Sequence, residues 1–187
     1  MVNKDSDIFS TFPILRTNRL DLIEIKQIHL GDLFKLFGDK DVTKYYNIKT
    51  LTEENEAQKL LNWFQDRFSD KLGIRWGIAF KDKEEIIGTI GFNNFMHNHR
   101  ANLGYDLQKD YWNNGYITEA LIEVIKFGFE KLKINRIEAE IMPGNINSEK
   151  ALISLGFEKE GLLRDWMLWN EKHYDMIMYS LLRKSKE

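Results

Sequence analysis

Tyr111-Trp112-Asn113-Asn114-Gly115-Tyr116-Ile117-Thr118-Glu119-Ala120 stands between a strand-like run and a helix-like run. Upstream, Ala101 to Leu107 reads as a strand. Downstream, Ile117, Ala120, Leu121, Val124, Ile125, Gly128 and Leu132 fall on one stripe of a helix, with Asn135 as its left-handed stop. A glycine turn that opens a helix offers unpaired backbone N–H groups and the positive end of the helix dipole. Together these hold a phosphate or diphosphate without a charged side chain. Asn114-Gly115 is also a hairpin dipeptide, but a hairpin needs a second strand, and the residues that follow have a helical period.

Beyond that helix, Arg136 to Met142 alternates, with Ile137, Ala139 and Ile141 on one face and Arg136, Glu138 and Glu140 on the other. Pro143-Gly144 ends it. Strand, helix and strand from Leu103 to Ile141 predict a parallel, right-handed crossover, which puts the Gly115 turn at a strand's carboxyl end, where ligand crevices form. Toward the N-terminus, Leu20 to Ile25 reads as a strand. His29 to Phe37 and the segment after Thr52, with Leu60, Leu61, Phe64 and Phe68, read as helices. Trp76 to Phe80 and Glu85 to Phe92 form a hairpin about Lys81 to Glu84, and Asn93 to Arg100 reads as a polar loop. Toward the C-terminus come a short helix from Ser148 to Leu155, entered from Asn147, and two strands, Trp166 to Trp169 and His173 to Leu182, joined at Asn170-Glu171-Lys172. The expected fold is α+β: one domain over 1–187 with a mixed, mostly antiparallel sheet flanked by helices.

A net charge of −2 over 187 residues gives no basic field for nucleic acid or an anionic membrane. No run is apolar enough to span a bilayer, and Met1 to Ser10 lacks the apolar core of a secretory signal. The absence of cysteine excludes disulfides, zinc–thiolate sites and thiol nucleophiles. A soluble cytoplasmic protein is the expectation. His97 and His99 lack a third ligand, so a solvated loop is expected there and no metal. Trp112, Trp166 and Trp169 read as core or as a pocket wall. Glu119 reads as compensation of the helix dipole.

Four segments in order resemble the GNAT superfamily of acetyl-CoA-dependent N-acetyltransferases, and within it the RimJ/RimL-like branch that acetylates ribosomal-protein N-termini. They are Leu15 to Leu20, Ala101 to Tyr105, Tyr111 to Ala120, and Asn145-Ile146-Asn147-Ser148 followed by Leu155-Gly156-Phe157 and Glu160-Gly161. The similarity runs from about Leu15 to Leu182. It implies that Tyr105, Asp106 and Leu107 offer backbone groups to pantetheine. It implies also that Trp112, Asn113, Asn114, Gly115, Tyr116, Ile117 and Thr118 form the diphosphate turn. Asn145 would bond the pantetheine arm, and Ser148 would protonate the departing thiolate. Ile117 stands where the superfamily usually has Gly or Ala. Asn102 stands where it often has an acid, which removes one candidate base. Asn170-Glu171 replaces a common Asn-Gly.

Acetyl transfer needs a neutral amine at the thioester carbonyl, an oxyanion donor and a proton for sulfur. At pH 7 an α-amine costs roughly 1 kcal/mol to deprotonate and a lysine about 4–5 kcal/mol, so a site without an obvious base favours the α-amine. Asp106, Glu24 or a water relay remain candidate bases. Asn145 can instead fix the turn after Pro143-Gly144, and Ser148 can instead cap its helix. The expected acceptor is a ribosomal or other protein N-terminal α-amine, and the expected state is monomer or homodimer. The alternatives are acetylation of a polyamine or amino-sugar, or a non-catalytic acyl-CoA-binding module.

Overall fold

The computed structural model describes residues 8–183, so most of the stretch read for a signal, Met1 to Ser10, lies outside the described residues. The strands are β1 Leu15–Arg16, β2 Leu20–Glu24, β3 Ile74–Phe80, β4 Ile86–Met96, β5 Arg100–Leu107, β6 Arg136–Ile141, β7 Glu158–Trp169 and β8 Lys172–Leu182. The helices are α1 Leu30–Phe37, α2 Lys40–Thr43, α3 Glu54–Ser69, α4 Tyr116–Glu130 and α5 Ile146–Ser154. One sheet carries all eight strands in the order β1-β2-β3-β4-β5-β6-β8-β7. Every neighbouring pair is antiparallel except β5–β6. This is the mixed α+β sheet expected, with the parallel crossover where the strand–helix–strand pattern put it.

The apolar periods decide which helix covers which face. The α4 stripe buries Ala120, Leu121, Val124 and Phe127 against Trp76, Ile90, Phe92, Leu103 and Ile137. Gly128 belongs to that stripe because a Cβ there would come within 2.8 Å of the Phe92 ring. On the other face, Leu33, Leu36 and Phe37 of α1 and Ala57, Leu61 and Phe64 of α3 pack on Ile25, Ala79 and Ile86. Each such side chain contributes about 1.5–3 kcal/mol of burial.

β5 and β6 pair only at Arg100↔Arg136, Ala101↔Ile137 and Asn102↔Glu138. Beyond Asn102, β5 stays with β4 as far as Leu107, whereas β6 follows β8. A gap therefore opens between Leu103–Leu107 and the end of β6.

On the α3 side a row of polar groups crosses the sheet. Arg75 and Asp106, with side chains 3% and 4% exposed, form an ion pair. Arg75 also donates to Thr89 Oγ1 from Nε (3.0 Å) and Nη2 (2.9 Å), and to Asn93 Oδ1 from Nη1 (3.0 Å). Asn93 Nδ2 donates to Asn102 Oδ1 at 3.1 Å, and Asn102 Nδ2 to Glu140 Oε1 at 3.3 Å.

Several boundaries differ from expectation. Most of the polar loop expected at Asn93 to Arg100 is strand: β4 runs to Met96 and β5 begins at Arg100, past a bulge between Phe92 and Asn94. Asn93 is polar there because it serves the buried network. α5 starts at Ile146 with Asn145 as cap, two residues earlier than expected. α4 ends at Glu130, and the left-handed residue after it is Lys133 (φ 56), not Asn135. β7 begins at Glu158, and two irregularities, Lys159/Gly161 and Leu163/Met167, break the alternation that would have revealed it.

Removing one member of the buried pair leaves the other charge unmatched. Arg75→Ala should cost about 3–5 kcal/mol in urea unfolding, and the double variant Arg75→Met, Asp106→Leu should cost clearly less.

Candidate active site

A cavity of about 410 Å³ fills the gap beside the N-terminus of α4. Its walls include Tyr105, Asp106 and Leu107 of β5, the turn residues Trp112, Asn113 and Gly115, and Tyr116, Ile117 and Thr118 of α4. Asn145 and Ser148 close another side. Of the residues selected from the sequence, Asn114 alone is outside the lining. Its Nδ2 donates to Trp112 O (2.9 Å) and its carbonyl accepts from Arg19 Nη1 (3.1 Å), so it braces the turn.

Asn113 (φ 60) and Gly115 (φ 76) are left-handed. A Cβ on Gly115 would meet only Arg19 Nη2, at 3.6 Å, so backbone conformation rather than crowding by the chain calls for glycine. The first helical hydrogen bond of α4 runs from Glu119 N–H to Gly115 O, and no side chain caps the helix. The N–H groups of Tyr116, Ile117 and Thr118 are thus left open beside the cavity. The Trp112 indole donates to Leu107 O at 2.7 Å, tying the turn to β5 and engaging one backbone group expected to serve the ligand.

Glu119 does more than offset the dipole. It accepts from Thr17 Oγ1 (2.5 Å), Arg19 N (2.8 Å) and Arg19 Nε (2.6 Å), and so fixes α4 to the start of β2. The Arg19 guanidinium lies 4.4 Å from the centroid of the Tyr116 ring. Burial raises the Glu119 carboxyl, but the bonds from Thr17 and Arg19 together outweigh it and hold the group below its ordinary 4.5.

Asn145 Oδ1 accepts from Ser148 N–H at 3.4 Å, so the capping role weighed for Ser148 belongs to Asn145. The Ser148 hydroxyl takes no part in the cap, and the Tyr105 phenol lies beside it as a side-chain partner. Tyr105 reaches across the gap and donates its hydroxyl to Ser148 O at 3.4 Å, and burial pushes its phenol up to about 12.

Of the candidate bases, Asp106 lines the cavity but is committed to Arg75 and Thr89. Burial raises its carboxyl while Arg75 pulls it down, and protonation would strand the guanidinium. Glu24 pairs with Lys26 at 3.3 Å on β2, outside the cavity lining.

Sequence reasoning missed the roof. Asp41, Val42, Tyr45 and Tyr46, on and after α2, line the cavity. Asp39 caps α2 by accepting from Asp41 N–H (2.7 Å), and Lys109 holds Asp41 from the far side. Burial pushes Tyr46 up to about 12 against the pull of Arg75. The adjacent aromatic pair was the one available signal. His97 and His99 lie in the β4–β5 turn, and no metal-holding group of three His, Asp or Glu occurs among the described residues.

Residues 19–158 match the acetyltransferase (GNAT) domain family. The chain is 37% identical over 173 residues to the Bacillus subtilis (strain 168) uncharacterized N-acetyltransferase YoaA, covering 92% of this chain and 98% of that one. It is 34% identical over 108 residues to the ribosomal protein uS5-alanine N-acetyltransferase of Escherichia coli (strain K12), covering 57% and 56%. A solved structure described as RimL, ribosomal L7/L12 alpha-N-protein acetyltransferase in complex with coenzyme A, matches with a TM-score of 0.81 at 18% identity over 91% and 98% of the chains. The chain belongs to the GNAT acetyltransferases. It is an N-acetyltransferase that uses acetyl-CoA.

A carboxyl held below its ordinary value contributes stability above the unfolded value and loses it as pH falls through the folded one. Glu119→Gln should therefore lower the urea midpoint at pH 7. The difference from wild type should shrink as pH drops below about 4.5.

Proposed function

We propose that this chain transfers the acetyl group of acetyl-CoA directly to a primary amine, and that the acceptor is the α-amine of a ribosomal or other protein N-terminus. The observation that carries the transfer is the uncapped, left-handed Gly115 turn opening on a cavity that extends to Ser148. An orphaned helix N-terminus of that kind suits a diphosphate. When bound, acetyl-CoA supplies the thioester carbon that the amine attacks.

The N–H groups of Tyr116, Ile117 and Thr118 hold the diphosphate, with Trp112, Asn113 and Asn114 shaping the turn. The backbone groups of Tyr105, which point away from β4, meet the pantetheine amides as an added strand would, while those of Asp106 pair with β4, and Asn145 contacts the same arm. A β5 N–H stabilises the oxyanion. The Ser148 hydroxyl, free of capping, gives its proton to sulfur.

The acceptor class is supported by the names of the E. coli relative and of the RimL structure. The lower cost of deprotonating an α-amine points the same way. An acceptor on the ribosome implies a cytoplasmic setting. A small cationic amine is the second reading, favoured by the roof of Tyr45 and Tyr46.

Calorimetry with acetyl-CoA and with CoA should give micromolar binding, and its absence at millimolar ligand would refute the turn's role. Gly115→Val should weaken that binding about tenfold, or roughly 1.4 kcal/mol. Ser148→Ala should lower kcat about 10²-fold and leave acetyl-CoA affinity nearly unchanged, whereas equal loss of both would contradict its role as acid.

A further inference from the structure

One side chain meets the Gly115 turn at three points while lying outside the cavity that the turn faces. Arg19 Nη1 donates to the Asn114 carbonyl at 3.1 Å. Its Nε donates to Glu119 Oε2 at 2.6 Å, and its guanidinium lies 4.4 Å from the centroid of the Tyr116 ring. The other Glu119 oxygen accepts from Arg19 N–H (2.8 Å) and Thr17 Oγ1 (2.5 Å), which fixes the carboxylate that holds the guanidinium. The contacts fall at residues 114, 116 and 119, so they bracket the first turn of α4, where the open N–H groups are. The Arg19 side chain is 43% exposed. An ion pair as wet as this contributes little to stability and is screened by salt.

The bond to Asn114 has a further consequence. A trans peptide points its C=O and its N–H in opposite directions. The Asn114 carbonyl is turned toward Arg19, so the Gly115 N–H of the same peptide is turned away from it. Gly115 lines the cavity, and neither Asn114 nor Arg19 does. Rotation of this peptide plane meets little steric resistance, because the residue after it is a glycine, here at φ 76. The guanidinium selects one of the two directions. Donation from a cation to the carbonyl also polarises the peptide and strengthens its N–H as a donor. A lysine has no fork with which to hold Glu119 and Asn114 together.

We propose that Arg19 is a positioning residue for coenzyme A. It fixes the Asn114–Gly115 peptide with its N–H toward the cavity and so adds a fourth donor for the diphosphate to those of Tyr116, Ile117 and Thr118. Glu119 and the Tyr116 ring hold the guanidinium in the place that makes this possible. The turn itself carries no cationic side chain, and the positive charge reaches the diphosphate through one peptide group. The role rests on the diphosphate site proposed above.

The test uses the full chain, coenzyme A, and pantetheine compounds that lack the diphosphate. The Gly115 N–H signal is followed by heteronuclear NMR. In the wild type, coenzyme A should move it downfield and pantetheine should leave it in place. Arg19→Met keeps the length of the side chain and its packing on Tyr116 but loses the donors. It should raise the calorimetric Kd for coenzyme A about tenfold and abolish the downfield shift. In turnover, KM for acetyl-CoA should rise far more than kcat falls. The ratio of kcat/KM for acetyl-CoA to that for S-acetylpantetheine should drop about tenfold, with partial recovery in Arg19→Lys. A general loosening of the fold would weaken both substrates alike, so an equal loss on both overturns the proposal. An unaltered Kd and Gly115 shift in Arg19→Met overturn this role alone. Failure of the wild type to bind coenzyme A overturns the diphosphate site and this role with it.

Discussion

β5 can pair along both edges only while both neighbours stay within hydrogen-bonding reach. β4 follows it from Arg100 to Leu107, but β6 leaves after Asn102 because its own register is set by β8 from Arg136 to Ile141. The result is a stretch of strand edge inside the protein with one side unpaired, which is unstable unless another group meets it. The Trp112 indole satisfies Leu107 O, and the Tyr105 hydroxyl bridges to α5. The remaining edge faces the cavity, which is why the ligand groups assigned to Tyr105 are backbone groups.

The two faces of the sheet divide the work. The α4 face is apolar and supplies the larger cluster of buried side chains. The opposite face is half apolar, under α1 and α3, and half polar, where α3 ends and the long strands β7 and β8 continue. There the charges are held in fixed pairs: the Arg136 and Ser180 hydrogen bonds keep the Glu160 carboxyl down at about 2. Such pairing orients side chains more than it stabilises the fold, because desolvation offsets much of the Coulomb attraction. Against this background Glu140 is the exception: among the described residues it has no ion pair and is met by Asn102 and Trp166.

Elements whose side chains answer to a single environment were legible. β6 alternates because one face meets α4 and the other the polar row. α4 shows its period because it has one buried stripe. Gly115 was legible because few other residues adopt φ 76 at a helix start. β4 beyond Phe92 was not, because Asn93 is drawn inward by Arg75, so a half-buried strand position looks like loop. α2 was not, because four residues are too short to display a helical period, and it is held by the Asp39 cap and by Lys109 from a distant turn. Glu119 was underestimated because its partners lie a hundred residues away.

Local chemistry in the chain was sufficient for most of the elements, the mixed sheet and the phosphate-type turn, since each depends on periodicity or on a backbone angle that neighbouring residues impose. Tertiary structure decided which side chains meet in the gap. It gave the helix cap to Asn145 and kept the Ser148 hydroxyl out of it, committed Asp106 to Arg75, and brought Asn102 and Trp166 from separate strands to Glu140. Those contacts depend on strand register and on where β5 and β6 part, and register is a property of the assembled sheet, not of any one segment.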